Sequence, residues 1–182
     1  MRIVTWNIQW GRGADGVVDM ERIGGVLLAM GSPEVICLQE VAVNFAGLPG
    51  GEPRDEVAWL ETIFPGYETV YGPGLDVADG AGGRSQFGNL LLSRLPVLQA
   101  FRHLLPSPVD PKVPHMQRGC VEAVVAAPEG PLRVMTTHLE YYSRRQRLAQ
   151  VEALRQLQAE AAARMRSRSS VRRRRRVRRL RP

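Results

Sequence analysis

Lysine is almost missing from this sequence: Lys112 stands alone, and the other 24 of the 25 basic residues are arginine. Cysteine is nearly as scarce, with Cys37 and Cys120 each inside an apolar, strand-like run. Two such cysteines exclude a disulfide framework and read as small core residues in a reducing, cytoplasmic setting. No apolar run is long enough to span a membrane, and the opening strand is too polar and too short for a signal peptide. What remains is a chain of 182 residues, 44% hydrophobic and 24% charged, enough for one domain with a real core.

The formal charge of +7 is unevenly spread. Residues 164–182 hold 11 of the basic groups and no acid, which leaves 14 basic against 18 acidic groups in residues 1–163, a net −4. The body is mildly acidic and the end strongly basic. A segment this charged, with little to bury, predicts a disordered Arg-rich tail over 164–182 behind a domain of residues 1–163.

Arg2 to Ile8 carries apolar residues on both faces until Asn7, which predicts a central strand covered on both sides. The Gly-rich stretch from Gly11 to Gly16 follows as a loop. Asp19 is then a natural N-cap for an amphipathic helix, Asp19–Met30, stopped by Gly31. Val35–Leu38 is an apolar strand ending in Gln39-Glu40. A βαβ unit this short places Asn7 and Glu40 at the same end of two parallel strands. A helix over Asp55–Phe64 and a strand over Tyr67–Tyr71 come next, and Gly72–Arg84, with five glycines, predicts a mobile loop. Strands are expected over Phe87–Ser93, Val97–Leu105, Met116–Ala126 and Leu132–Thr137, the last two as a hairpin around Pro128–Pro131. Leu148, Val151, Leu154, Leu157 and Ala161 line one face of a closing helix from about Ser143 to Ala163. The order fits a layered α/β sandwich with mixed sheets.

A buried amide at a strand end must find partners, so Asn7 either forms a turn or belongs to a polar site at the carboxyl end of a sheet. A strand ending in Gln-Glu is common, and a histidine after a strand is more often structural than catalytic. The order of four fragments adds information. Thr5-Trp6-Asn7, Leu38-Gln39-Glu40, Gly88-Asn89 leading into Leu90–Pro96, and Thr136-Thr137-His138-Leu139 all fall at predicted strand ends. In order and placement they resemble the endonuclease/exonuclease/phosphatase superfamily, with its DNase I-like fold, from Met1 to about Ala163.

The resemblance implies a metal-dependent phosphodiesterase or phosphatase. Glu40 would ligate Mg²⁺ (or Mn²⁺), Asn7 would orient a water or phosphate oxygen, and His138 would donate to a non-bridging phosphoryl oxygen. The chemistry agrees: hydrolysing a phosphate ester needs a hard cation and a positioned water, and Mg²⁺ takes few protein carboxylates. Arg118 sits where related nucleases place a phosphate-contacting arginine, and a surface ion pair with Glu122 or another acid fits it equally well. Asn89 reads mainly as structural support, Tyr141 and Tyr142 as half-buried packing residues, and His103 and His115 as structural. The substrate stays open among nucleic acid, a phospholipid head group and a small phosphate ester.

The family pattern continues with Gly-Asp-Phe-Asn and later Ser-Asp-His, and neither occurs in this sequence. Two explanations fit the arginine-rich segment found instead. One is an authentic basic tail that binds nucleic acid without sequence preference. The other is a frame shift in GC-rich coding sequence, favoured because the segment holds only Arg, Ser, Val, Leu, Pro and one Met. The expectation is a truncated and impaired hydrolase, with a non-catalytic nucleic-acid-binding protein as the alternative. Loss of most of a second sheet would uncover Leu90, Leu92, Val121, Val125, Leu132 and Val134.

Overall fold

The computed structural model describes the backbone of residues 1–179 and the side chains of residues 1–166. β1 (Ile3–Asn7) runs parallel to β2 (Val35–Val43), with Asn7 opposite Gln39. Between them lies α1 (Met20–Ala29), whose first turn is capped where Asp19 Oδ1 accepts the Arg22 N–H at 2.8 Å. Asp55 caps α2 (Glu56–Ile63) in the same way, accepting from Ala58 N at 2.9 Å. β3 (Glu68–Ala78) and β4 (Arg84–Ser93) complete a mixed sheet in the order β1-β2-β4-β3. β5 (Val97–Leu104), β6 (Gly119–Ala127) and β7 (Gly130–Thr137) form a second, antiparallel sheet in that order. The chain continues into α3 (Arg144–Arg179).

Strand alternation sorts the core into two layers. On one face of the first sheet Ile36, Leu38, Leu90 and Leu92 pack against Ile23 and Leu27 of α1 and Leu60 of α2. On the other, Val35, Cys37, Val70 and Leu91 meet Val121, Ala123, Val125 and Val134 of the second sheet. The outer face of the second sheet carries a polar cluster beside Phe101. There Glu122 binds His103 at 2.8 Å and Arg133 at 2.6 Å, and Arg133 reaches Gln158 of α3. This is the layered α/β sandwich that the element order predicts. No helix among the described residues is long and apolar enough to cross a membrane.

Four local expectations change. β1 is an edge strand, not a central one, and its Ile3 is 45% exposed; apolar residues on both faces do not by themselves secure a second neighbour. Gly72–Arg84 is mostly strand, closed by a turn in which Asp79 Oδ1 accepts the N–H groups of Ala81 and Gly83 at 2.8 and 2.9 Å. Its glycines and Pro73 are tolerated because β3 is an edge and the β3–β4 register slips between Pro73 and Leu75. Leu90, Leu92, Val121, Val125 and Val134 are all buried and Leu132 is half-buried: α1 and α2 cover Leu90 and Leu92, and the packing of the two sheets covers the others. Finally, α3 is continuous past Ala163 to Arg179. The side chains of 167–182, where most of the expected tail falls, lie outside the described residues.

Candidate active site

In β2 the even residues Ile36 and Leu38 face α1 and α2, so a regular strand would carry Glu40 into that apolar layer. It does not go there. The β2–β4 pairing steps from Gln39↔Asn89 to Val41↔Gly88, leaving Glu40 as the extra residue of a bulge. Its φ is +57°, a left-handed conformation costly for a residue with a Cβ. Val41 takes the core position instead, fully buried. Glu40 is turned toward the end of the second sheet.

Two residues meet it there. Asn7 Nδ2 donates to Glu40 Oε1 at 3.1 Å, while Asn7 Oδ1 accepts the Gln9 N–H at 3.0 Å. The turn that follows is strained too, with Gln9 and Trp10 at φ +49° and +45°. From the second sheet, His138 Nδ1 approaches the same Glu40 oxygen at 3.2 Å. The same nitrogen lies 3.2 Å from Arg118 Nη1. Arg118 Nε in turn donates to Glu140 Oε2 at 3.2 Å, the two side chains being 11% and 0% exposed. The four side chains named from the sequence therefore form one connected group.

Gln39, beside Glu40, donates to Thr136 and Thr5. Asn89 Nδ2 and Thr137 Oγ1 both donate to the Gly119 carbonyl, at 2.9 and 2.8 Å, which anchors the backbone next to Arg118. Glu40, Asn89, Arg118, Gly119 and His138 line a shallow, solvent-open cleft. Burial lowers the His138 pKa, and the Arg118 cation lowers it further; Glu40 and Glu140 oppose both. The imidazole is therefore held toward its neutral form.

Arg118 makes its ion pair with Glu140, a residue that carries no signal in the sequence; Glu122, the alternative acid, is taken by His103 and Arg133. Tyr141 and Tyr142 are 72% and 58% exposed, stacked edge to face on each other, and are not packing residues. His103 stays on the outer face, and His115 bonds Ser107 and Gln146.

Among the described residues no group of three or more His, Cys, Asp or Glu side chains could hold a metal ion. That excludes a closed, protein-only cage of the zinc type. It leaves room for a hydrated Mg²⁺ or Mn²⁺, which needs only one or two carboxylates. Glu40 is such a carboxylate, contacted by an amide and an imidazole and, among the described residues, tied to no arginine.

Comparison with known proteins gives a consistent result. The sequence matches the model of the Endonuclease/Exonuclease/phosphatase family over residues 4–165. No curated protein matches it significantly. An endonuclease/exonuclease/phosphatase from Beutenbergia cavernae is 29% identical with a TM-score of 0.64, over 81% of this chain and 42% of that one. A mannosyl-6-phosphatase of Bacteroides thetaiotaomicron is 13% identical with a TM-score of 0.62, over 87% of this chain and 59% of that one. The human nocturnin catalytic domain, solved with a bound sulfate anion, is 18% identical with a TM-score of 0.57, over 89% of this chain and 59% of that one. The chain thus spans between 42% and 59% of the length of these structures.

Proposed function

The chain belongs to the endonuclease/exonuclease/phosphatase family, and from that premise we propose that Asn7, Glu40, Arg118 and His138 are the site of a metal-dependent phosphoester hydrolase. The observation that carries this is the meeting of Asn7 and His138 on one oxygen of Glu40, at 3.1 and 3.2 Å, from two different sheets. A left-handed bulge is what delivers Glu40 there, and strain of this kind persists where the surrounding structure enforces it.

Each side chain has a role its chemistry suits. Glu40 would hold Mg²⁺ or Mn²⁺, which when bound neutralises charge on the phosphoryl oxygens. Asn7 fixes the Glu40 carboxylate through its amide N–H. Arg118 binds a non-bridging oxygen of the ester. His138 Nδ1 lies 3.2 Å from both Arg118 Nη1 and Glu40 Oε1, and in the tautomer in which Nδ1 accepts from Arg118 the Nε2–H would donate a second hydrogen bond to the phosphoryl group.

The 182 residues include only three histidines, and His103 and His115 are engaged away from the cleft. His103 has its acid, Glu122, on the outer face of the second sheet, so among the described residues no second histidine–acid pair stands in the cleft to activate water and turnover by this chain is slow. Residues 164–182, with 11 arginines, add non-specific attraction for nucleic acid. The free, buried thiols of Cys37 and Cys120 suit a reducing, cytoplasmic setting.

The test pairs binding with turnover. Mn²⁺ binding by electron paramagnetic resonance should be lost in Glu40→Ala. Slow hydrolysis of bis-p-nitrophenyl phosphate should fall to background in both Glu40→Ala and His138→Ala. If neither substitution changes metal affinity or rate, the proposed site is wrong.

A further inference from the structure

Arg118 presents five N–H groups on one rigid plane. The protein uses two of them, Nε on Glu140 Oε2 and Nη1 on His138 Nδ1, both at 3.2 Å. The others are left, and the side chain lines the cleft. Which way they point depends on what holds the plane.

That holder is unusually well fixed. Glu140 is 1% exposed, and its Oε1 accepts the Tyr142 N–H at 3.0 Å. Its own N–H donates to Gln150 Oε1 at 2.8 Å, and its carbonyl accepts from Arg147 Nη1 at 2.7 Å. The start of α3 therefore grips the backbone that carries this carboxylate. Burial pushes its pKa up, but the Tyr142 amide, the Arg118 cation and the Tyr141 amide together hold it below the usual carboxylate range. Stability alone does not account for the pair, because a buried ion pair rarely outperforms apolar packing of the same volume.

We infer that Glu140 is a positioning residue that sets the plane of the Arg118 guanidinium, so that its unused N–H groups meet a phosphoryl oxygen in the cleft. The identity of that ligand rests on the phosphoester reading above. The mechanical claim, that Glu140 acts through Arg118, does not.

Calorimetric titration of the full chain with inorganic phosphate tests it as a double-mutant cycle. Glu140→Gln keeps the shape and the acceptor for Tyr142 but removes the charge. It should weaken phosphate binding by about 10–100-fold, as loss of an orienting partner does elsewhere. Arg118→Ala should weaken it at least as much. Adding Glu140→Gln to Arg118→Ala should then change affinity by less than about twofold, because the residue's only route to the ligand is gone. A full further loss in the Arg118→Ala background would overturn the inference, since Glu140 would then act through the fold. Undiminished binding in Glu140→Gln, or no phosphate binding by the wild type, would overturn it as well. The cycle reads binding only, so a wild type that shows the expected pattern yet hydrolyses nothing supports the positioning role while refuting the hydrolase.

Discussion

Gln39 Nε2 donates to Thr136 Oγ1 at 2.8 Å, tying the first sheet to the second one residue before Glu40 and two before His138. The two residues are 8% and 5% exposed, and the same amide also reaches Thr5 Oγ1 at 3.2 Å and the Cys37 carbonyl at 3.3 Å. Distances between Glu40 and His138 are set by how the sheets dock, and this bond is one polar pin in that docking, beside the bond from Asn89 to the Gly119 carbonyl. Thr136→Val keeps the volume and removes the acceptor. It should cost about 1–2 kcal/mol and lower the melting temperature by roughly 2–8 °C. An unchanged melt by circular dichroism would show that the pin carries no load.

Glu40 adopts φ +57°, where a Cβ is penalised and glycine is not. Replacing it by Ala and by Gly removes the same carboxylate but relieves the backbone only in the second case. Glu40→Gly should therefore be more stable than Glu40→Ala by about 1 kcal/mol, read from urea denaturation midpoints. The reverse order would mean that the bulge relaxes without strain.

Glu56 gives a prediction in pH. It is 2% exposed and accepts one hydrogen bond, from Ala42 N at 2.8 Å, and burial pushes its pKa from 4.5 up to about 7. Between those values the folded protein keeps a proton that the unfolded chain has released. Stability from this group is thus fully present below about pH 4.5 and is lost as pH rises through about 7, an effect on the order of 3 kcal/mol. Carboxylates held low, such as Glu122 and Glu140, act in the opposite sense at acid pH. The informative quantity is therefore the difference between wild type and Glu56→Gln, measured at pH 5 and pH 8. That difference should shift in favour of the variant at the higher pH, and a constant difference would contradict it.

The arginine-rich end predicts polyanion binding. Changing Arg172–Arg176 to glutamine removes five of its 11 positive charges. Affinity for duplex DNA of any sequence should drop, and the slope of log K against log salt should become shallower by up to about 0.9 for each phosphate no longer neutralised. An unchanged slope in fluorescence anisotropy would show that this segment neutralises no phosphates.

Asn7 and His138 were legible because they sit at strand ends, where a chain shows both a period and a break. Asn7 ends β1 and His138 follows the last residue of β7, but Glu40, expected at the end of β2, lies inside it, because the strand continues to Val43. The bulge was not legible. One residue between Gln39 and Val41 reverses the sidedness of the strand, and only the pairing partner on β4 reveals it. Glu140 was hidden for a related reason: its partner lies 22 residues away on another strand's approach, and one carboxylate after His-Leu has no local signature. The β3–β4 hairpin was lost to glycine and proline, which break a strand in general but not at an edge with a register slip.

The extra residue in β2 also shapes how this protein can change. A point substitution at position 40 alters the side chain but keeps the bend, so the site can be retuned one chemistry at a time. Loss of a single codon there is a different event. The ladder with β4 would close into unbroken pairing, the left-handed residue would vanish, and no acid would be aimed at the cleft. A shorter chain of that kind would gain backbone stability as it lost the carboxylate in the cleft, so thermal robustness and the placement of this acid pull against each other at one position in the sequence.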